Sequence, residues 1–589
     1  MNVKKRVLIC CLCFGTLSAR VHAGPLIAEA FEAGLLDYET ALLYEVYALR
    51  HPEALPEALR PSPSAPRPPR CGTPILVAAQ QAAPALSAAF RAKLARALQR
   101  PSRARTSLTS SGRFLIHYDL GGRHGVDAAD EDGNGIPDYI DETAATLEHV
   151  WTLEVEELAY RSPLLDGSAG GGDEYDVYIT DLGSSGVYGY AFPELSGNST
   201  PVYLEIDNNF TDPVYVQTRG IDALHVTLAH EFFHGVQFSY YAGRDGLWWQ
   251  EASATWMEEV AYPEVDDYLQ YVPSVLRRPE RALESGNFTV ETRIYGLAIF
   301  AHFLDLRFDR AVIRSVWDEM ATSNHARVVN FERAIRQYIP GGLGEALGEY
   351  AVWNYFTGSK HRRGMFYPEG QKYGEVRART LQTVSKVTVS DSGQVDHTGS
   401  AYLRLEPQLQ SGGVAIEVST EEGSWKQQLL LNSRDTVEVR DLDGSVVRIA
   451  EWDQYDEIVV VLSSIEQSGA GFDYNVAAEY DPNLLGDGTD SVVLSLEQNQ
   501  PNPFRTERHG KTAIPYALSQ ASDNAKISIF SASGELIRVL EQGPRSARSF
   551  AAFWDGTNQD GDAVASGIYF YVLEADGLRR QRSLAVVRD

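Results

Sequence analysis

The run Ile221-Asp-Ala-Leu-His-Val-Thr-Leu-Ala-His230-Glu231-Phe-Phe-His234-Gly-Val-Gln237 holds the pattern His-Glu-x-x-His. On an α-helix the two histidines stand one turn apart on the same face, so two neutral imidazoles can share one metal ion. Glu231 projects from the neighbouring position, within reach of a water held on that metal. Leu224, Val226, Leu228, Ala229, Phe232, Phe233 and Val236 make this helix apolar nearly all round. Its environment is therefore buried, and a polar trio there is costly without a ligand.

A third ligand comes from Trp248-Trp249-Gln250-Glu251-Ala252-Ser253-Ala254, at the start of the next helix-like segment. Gly243 and Gly246 in between allow the chain to turn back. The arrangement resembles the gluzincin metallopeptidases, where HExxH is followed by a Glu-bearing helix, commonly Trp-x-x-Glu-Gly-x-Ala; Ala252 stands where that family often has glycine. The resemblance implies an α+β zincin-like catalytic domain acting on peptide substrates. Zn²⁺ would be held by His230, His234 and Glu251, with Glu231 as general base. Gluzincin sites often use a Tyr or His on the oxyanion, which makes Tyr295 and His302 candidates; a packing aromatic and a core histidine are the competing readings of those two.

At 589 residues the chain is too long for a single core. A net charge of −28 argues against nucleic acid or anionic membrane as partners. Met1 to Ala23 reads as a secretory signal: Lys4, Lys5 and Arg6, an apolar run from Val7 to Leu17, then Val21-His22-Ala23. Cys10, Cys11 and Cys13 would leave with it, and Cys71 would remain alone. No other apolar run approaches the ~20 residues of a transmembrane helix. Export to the cell surface or medium is expected.

Residues 24–108 read as a basic leader. No acidic residue occurs between Ala58 and Arg113, while Arg60, Arg67, Arg70, Arg91, Lys93, Arg96, Arg100, Arg103 and Arg105 accumulate. Such a segment can dock on an acidic body or lie solvated in a linker. Within it, Pro69-Arg70-Cys71-Gly72-Thr73-Pro74 looks like the cysteine switch of matrix metalloprotease propeptides. That resemblance implies a latent zymogen in which the Cys71 thiolate fills the open zinc position.

Asp130-Glu-Asp132-Gly-Asn134-Gly135-Ile136-Pro-Asp138-Tyr-Ile-Asp141 follows a strand-like Arg113–Tyr118. Asp130, Asp132, Asn134, Asp138 and Asp141 fall at the side-chain oxygen positions of an EF-hand loop, with Ile136 supplying its carbonyl and Gly135 the sharp turn. The twelfth position is Asp rather than Glu. With a strand before it, the loop resembles those of dockerin-like domains, and a structural Ca²⁺ is expected. Tyr175–Thr180 and Val202–Asp207 read as strands; the resemblance to HExxH peptidases implies that the second, just before the HExxH helix, is the sheet edge that pairs with substrate backbone.

Short strands with Gly, Asp and Ser turns over 383–480 predict a β-sandwich. Residues 493–589, with Asn499-Gln-Pro-Asn-Pro-Phe504, Phe553-Trp-Asp-Gly-Thr and Ala565-Ser-Gly-Ile-Tyr, resemble type IX secretion sorting domains and the Ig-like domain of flagellar hook-capping proteins. That implies secretion machinery as a partner. The expected order is signal 1–23, leader 24–108, catalytic domain 109–380, then two all-β Ig-like sandwich domains, 383–480 and 493–589. The competing reading is a surface adhesin with a non-catalytic zinc site.

Overall fold

The computed structural model describes residues 25–60, 71–195, 197–285, 292–381, 388–407, 412–420, 423–433, 436–442, 446–450, 452–482, 484, 494–518, 521–532, 534–546, 548–575 and 578–588. The expected signal peptide, and Pro69 and Arg70 of the cysteine motif, lie outside the described residues.

β1 (Arg105–Leu108), β2 (Phe114–Tyr118), β3 (Tyr175–Thr180), β4 (Gly189–Pro193) and β5 (Val202–Asp207) form one sheet in the order β1-β2-β3-β5-β4. β2, β3 and β5 are parallel; β1 and β4 run antiparallel to their neighbours. Every residue of β3, β4 and β5 is buried, as in strands covered on both faces. Val202–Asp207 is therefore not the edge expected of it. The chain before it doubles back as a hairpin, and β4 adds outside β5. The boundary expected at 108 falls at the end of β1, which is already zipped to β2.

Helices cover both faces. The leader supplies α1 (Pro25–Glu32), α2 (Tyr38–Arg50), α3 (Thr73–Ala82) and α4 (Ala88–Ala97); the body adds α5 (Asp138–Trp151), α6 (Gly220–Tyr240) and α7 (Leu247–Ala261). α6 lies against the Gly189 side of the sheet. A Cβ at Gly189 would meet Thr227 at 2.9 Å and Glu231 at 3.2 Å; one at Gly235 would meet the Tyr175 hydroxyl at 2.3 Å. Only glycine allows α6 this close. Alternation turns Tyr190 and Phe192 to the opposite face, where α2 packs.

The leader is thus a layer of the fold. Leu42, Leu43, Val46, Leu49 and Ile75 to Ala79 share one continuous core with β2–β5 and α6. Arg91, Lys93 and Arg96 are solvated, but three other arginines are not. Arg50 pairs with Glu205 at 2.7 Å, with side chains 5% and 2% exposed, and lies over the Phe192 ring. Arg100 gathers Asp166, Asp176 and Glu194. Arg103 donates to the Ile179 carbonyl at 2.7 Å and to the Thr180 hydroxyl at 2.6 Å.

The chain is multidomain, with a helix-rich N-terminal part followed by sheets. Between Arg379 and Asp481 a five-stranded and a four-stranded sheet face each other across Leu403, Leu405, Ile416, Leu429, Leu431, Val460 and Leu462. The C-terminal part has sheets of three and five strands around Phe504, Ile514, Ile529, Trp554 and Tyr571. Arg508 and Arg505 tie it to Asp305 and Asp309 of the helical part.

Removing one member of a buried ion pair strands the other charge, at about 3 kcal/mol. Arg50→Met is therefore expected to loosen the docked leader by about that amount. Limited proteolysis of the full chain should show residues 25–60 becoming sensitive while the C-terminal sheets stay resistant.

Candidate metal centre

α6 is helical because it is long and apolar, without a run of β-branched residues, and it starts at Gly220, whose φ is +57°. α7 follows a short turn opened by Gly243 and Gly246. The two helices pack together and bring His230, His234 and Glu251 to one point, which Cys71 approaches from the leader. The metal-binding atoms of these four residues all lie within 4.8 Å of one another. Each residue is at most 2% exposed.

Hydrogen bonds fix the imidazole tautomers. His230 Nδ1 lies 2.7 Å from Glu258 Oε1 and His234 Nδ1 2.8 Å from Gln237 Oε1. The Gln237 amide nitrogen donates to the Gln250 carbonyl and to Ser253, so its oxygen is the acceptor facing His234. In the neutral rings both Nδ1 atoms thus carry the protons and both Nε2 atoms present lone pairs, as a bound cation would require. Those Nε2 atoms are 3.1 Å apart, and Glu251 lies 3.2 Å from one and 3.3 Å from the other. Glu251 Oε1 has no hydrogen-bond partner. Two lone pairs, an orphaned carboxylate oxygen and a sulfur converging in a dry site fit a bound cation, and this N₂OS donor set suits Zn²⁺.

The electrostatics agree. Burial alone would lower His230, but the Glu251 and Glu258 carboxylates, accepting hydrogen bonds from the protonated ring, outweigh it and push it up to about 10. Burial would raise Glu251, yet the two histidines bring it down to about 2. Both shifts express the same demand for positive charge. Burial raises the Cys71 thiol well above its ordinary value, with Glu231 and Glu251 adding to it. A cation at the site would reverse that effect.

Glu231 stands beside this group without belonging to it. Its Oε2 accepts from Cys71 Sγ at 3.4 Å and from Thr73 Oγ1 at 3.2 Å. Tyr295, on the short helix Arg293–Gly296, accepts the Cys71 N–H at 3.2 Å through its hydroxyl, and its ring tilts against His230. His302 packs against Tyr268 instead, and burial lowers it to about 3. The leader meets the sheet at its edge: Cys71 bridges Gly189 in parallel, and Gly72 N donates to the Gly189 carbonyl at 3.1 Å.

Asp130, Asp132, Asn134 and Asp141 are also drawn together. Asp130 accepts from the amides of Asn134 and Gly135, and the Asn134 side-chain amide bridges Asp132 and Asp141 at 3.0 and 2.9 Å. Gly133 and Gly135 both take positive φ, +71° and +87°. Asp138 turns back to the Glu131 amide at 2.9 Å. The Ile136 amide is held by the Asn134 side chain, and Asp141 projects from the first turn of α5.

Sequence reasoning missed Glu258, Gln237 and Thr73. Two had a periodic signal: Glu258 is two turns beyond Glu251 on α7, and Gln237 three residues beyond His234 on α6. Thr73 had none, because its role depends on where the leader folds.

Residues 502–577 match the FlgD Ig-like domain family. No curated protein matches the chain. A crystal structure of dimeric latent PorU from Porphyromonas gingivalis is similar at 12% identity over 36% of this chain and 32% of that one, with a TM-score of 0.15. PorZ of the same organism, a surface component of its type-IX secretion system, is similar at 14% identity over 27% and 22%, TM-score 0.12. The periplasmic lysozyme inhibitor PliG of Salmonella Typhimurium is similar at 11% identity over 18% and 100%, TM-score 0.14. The chain spans about a third of the PorU length, and likenesses this slight bear no weight for fold or activity. Among the described residues no helix is long and apolar enough to cross a membrane.

Glu258 orients His230 through Nδ1 and would raise the basicity of Nε2 towards a metal. Glu258→Gln is expected to weaken zinc binding about ten- to a hundredfold without unfolding the chain. Titration against a competing chelator measures this.

Proposed function

We propose that the chain is an exported zinc-dependent peptidase with a zincin-like catalytic domain, held latent by its own leader. The observation that carries this reading is the pair of bare imidazole Nε2 atoms facing Glu251 and Cys71, with Glu231 alongside but outside the donor set. His230, His234 and Glu251 would hold Zn²⁺, with Cys71 as fourth ligand in the latent form. When bound, the metal would lower the pKa of a water towards about 7 and polarise a carbonyl.

The chain's own residues do the rest. Glu231 takes the proton of the attacking water and passes it to the leaving amine. Its dry setting favours that role, since burial raises it from the ordinary carboxylate range. The Tyr295 hydroxyl, now on the Cys71 amide, is within reach of the position where an oxyanion forms. The β4 edge offers the Gly189 carbonyl, which already pairs with the leader backbone, to an extended peptide. Asp130, Asp132, Asn134, Ile136, Asp138 and Asp141 would hold a structural Ca²⁺ at the start of α5. The FlgD Ig-like domain would serve export or anchoring through the secretion machinery.

A second reading, an adhesin with structural zinc, has one observation in its favour: four protein ligands close the site. It gives no reason to bury Glu231, 1% exposed, beside that set. Glu231→Gln separates the two readings. It should keep about one zinc per chain while peptide hydrolysis by leader-free chain falls at least about a thousandfold. Undiminished hydrolysis in that variant would sink the mechanism; no hydrolysis by leader-free wild type would favour the adhesin.

Calcium should raise the melting temperature of the wild type by mass action. Asp132→Ala should abolish that rise and leave zinc stoichiometry alone. An equal rise in both would reduce the loop to a turn.

A further inference from the structure

We propose that Thr73 is a second lock on this site: its hydroxyl occupies the position of the attacking water on Glu231, while Cys71 occupies the metal. The inference rests on the peptidase reading above and adds to it a residue that regulates the base rather than the metal.

The geometry is specific. A threonine hydroxyl has one proton to give and accepts through its lone pairs. The proton goes to Glu231 Oε2 at 3.2 Å, and one acceptor position takes the Ala191 N–H of β4 at 2.9 Å. Thr73 is fully buried, and its own amide donates to Cys71 Sγ at 3.3 Å. The backbone, the thiol and the hydroxyl are thereby set as one unit. Gly72 before it cannot shift easily, since a Cβ there would meet Leu49 at 2.7 Å and Tyr190 at 2.9 Å.

Charge makes the hydroxyl necessary. Glu231 accepts from two groups, the Cys71 thiol and Thr73. Once the sulfur ligates a metal as thiolate it has no proton to donate. Among the described residues Thr73 is then the one hydrogen-bond donor shown on this buried carboxylate. A buried acceptor left without a donor is costly, so the docked leader depends on Thr73 most strongly when the metal is in place. Thr73 and Cys71 cover the two groups that a hydrolytic step needs free.

The test is alkylation of Cys71 in the full chain, followed by peptide mapping, for wild type, Thr73→Ser and Thr73→Val. Each is measured with zinc loaded and after treatment with a chelator. Chelation removes the metal–thiolate hold, so the rate that remains reads the leader's other fastenings. There Thr73→Val should label at least about tenfold faster than wild type, because it leaves the buried Ala191 amide unpaired and Glu231 with the Cys71 thiol in place of two donors. Thr73→Ser restores the hydroxyl and should label at the wild-type rate. Equal chelated rates for wild type and Thr73→Val would overturn the proposal, and so would Thr73→Ser labelling as fast as Thr73→Val. Hydrogen exchange of the wild type decides the matter if the valine variant does not fold: the Ala191 amide should be protected, and free exchange there would overturn the proposal. Absence of bound zinc, or of hydrolysis by leader-free chain, would instead refute the peptidase reading, and the chelated comparison would stand unaffected.

Discussion

Two imidazole lone pairs and three carboxylates share a dry space, and the N-terminal part of the molecule is arranged around that charge. Glu231, Glu251 and Glu258 are each at most 1% exposed, and burying even one unpaired carboxylate costs several kcal/mol. Within the group only the histidines offset them, and those have committed their Nδ1 protons to Glu258 and Gln237. A cation between the Nε2 atoms resolves both problems together, since it pairs with Glu251 and removes the repulsion of the lone pairs. The close approach of α6 to the sheet, permitted by Gly189 and Gly235, excludes the water that would otherwise soften this demand.

Much of this site was legible in the sequence because its pieces are local. His230, Glu231 and His234 are fixed relative to one another by a single helical turn, and Glu251 lies on the next helix after a short glycine-bearing turn. The same holds for the turn from Asp130 to Asp141, whose side chains bond to one another and to amides within a single loop. What escaped depended on contacts distant in sequence. β4 displaced Val202–Asp207 from the sheet edge through a hairpin that the strand pattern alone does not order. Arg50 and Arg100 were indistinguishable by composition from Arg91 and Arg96, which are solvated. Only the fold, by placing Glu205 and Asp176 under the first pair, tells them apart. Thr73 is the extreme case, 158 residues from the carboxylate it touches.

The leader is fastened by an apolar layer on one side and by buried ion pairs on the other. α3 lies along β4 with Ile75, Leu76 and Val77 buried, so this edge of the sheet is covered. On the far face ion pairs join the apolar contacts of α2: Arg50 on Glu205, and Arg100 on Asp166, Asp176 and Glu194. Against a well-packed apolar contact, buried ion pairs add little net stability, because desolvation offsets their attraction. They are selective, since any slip strands a charge. They also govern what remains after departure. An apolar face would be left sticky, whereas a face carrying four carboxylates rehydrates as soon as the arginines go. Under the proposed reading, departure of the leader would rehydrate this acidic face and also uncover the apolar surface that Leu42, Val46 and Ile75 to Ala79 now cover.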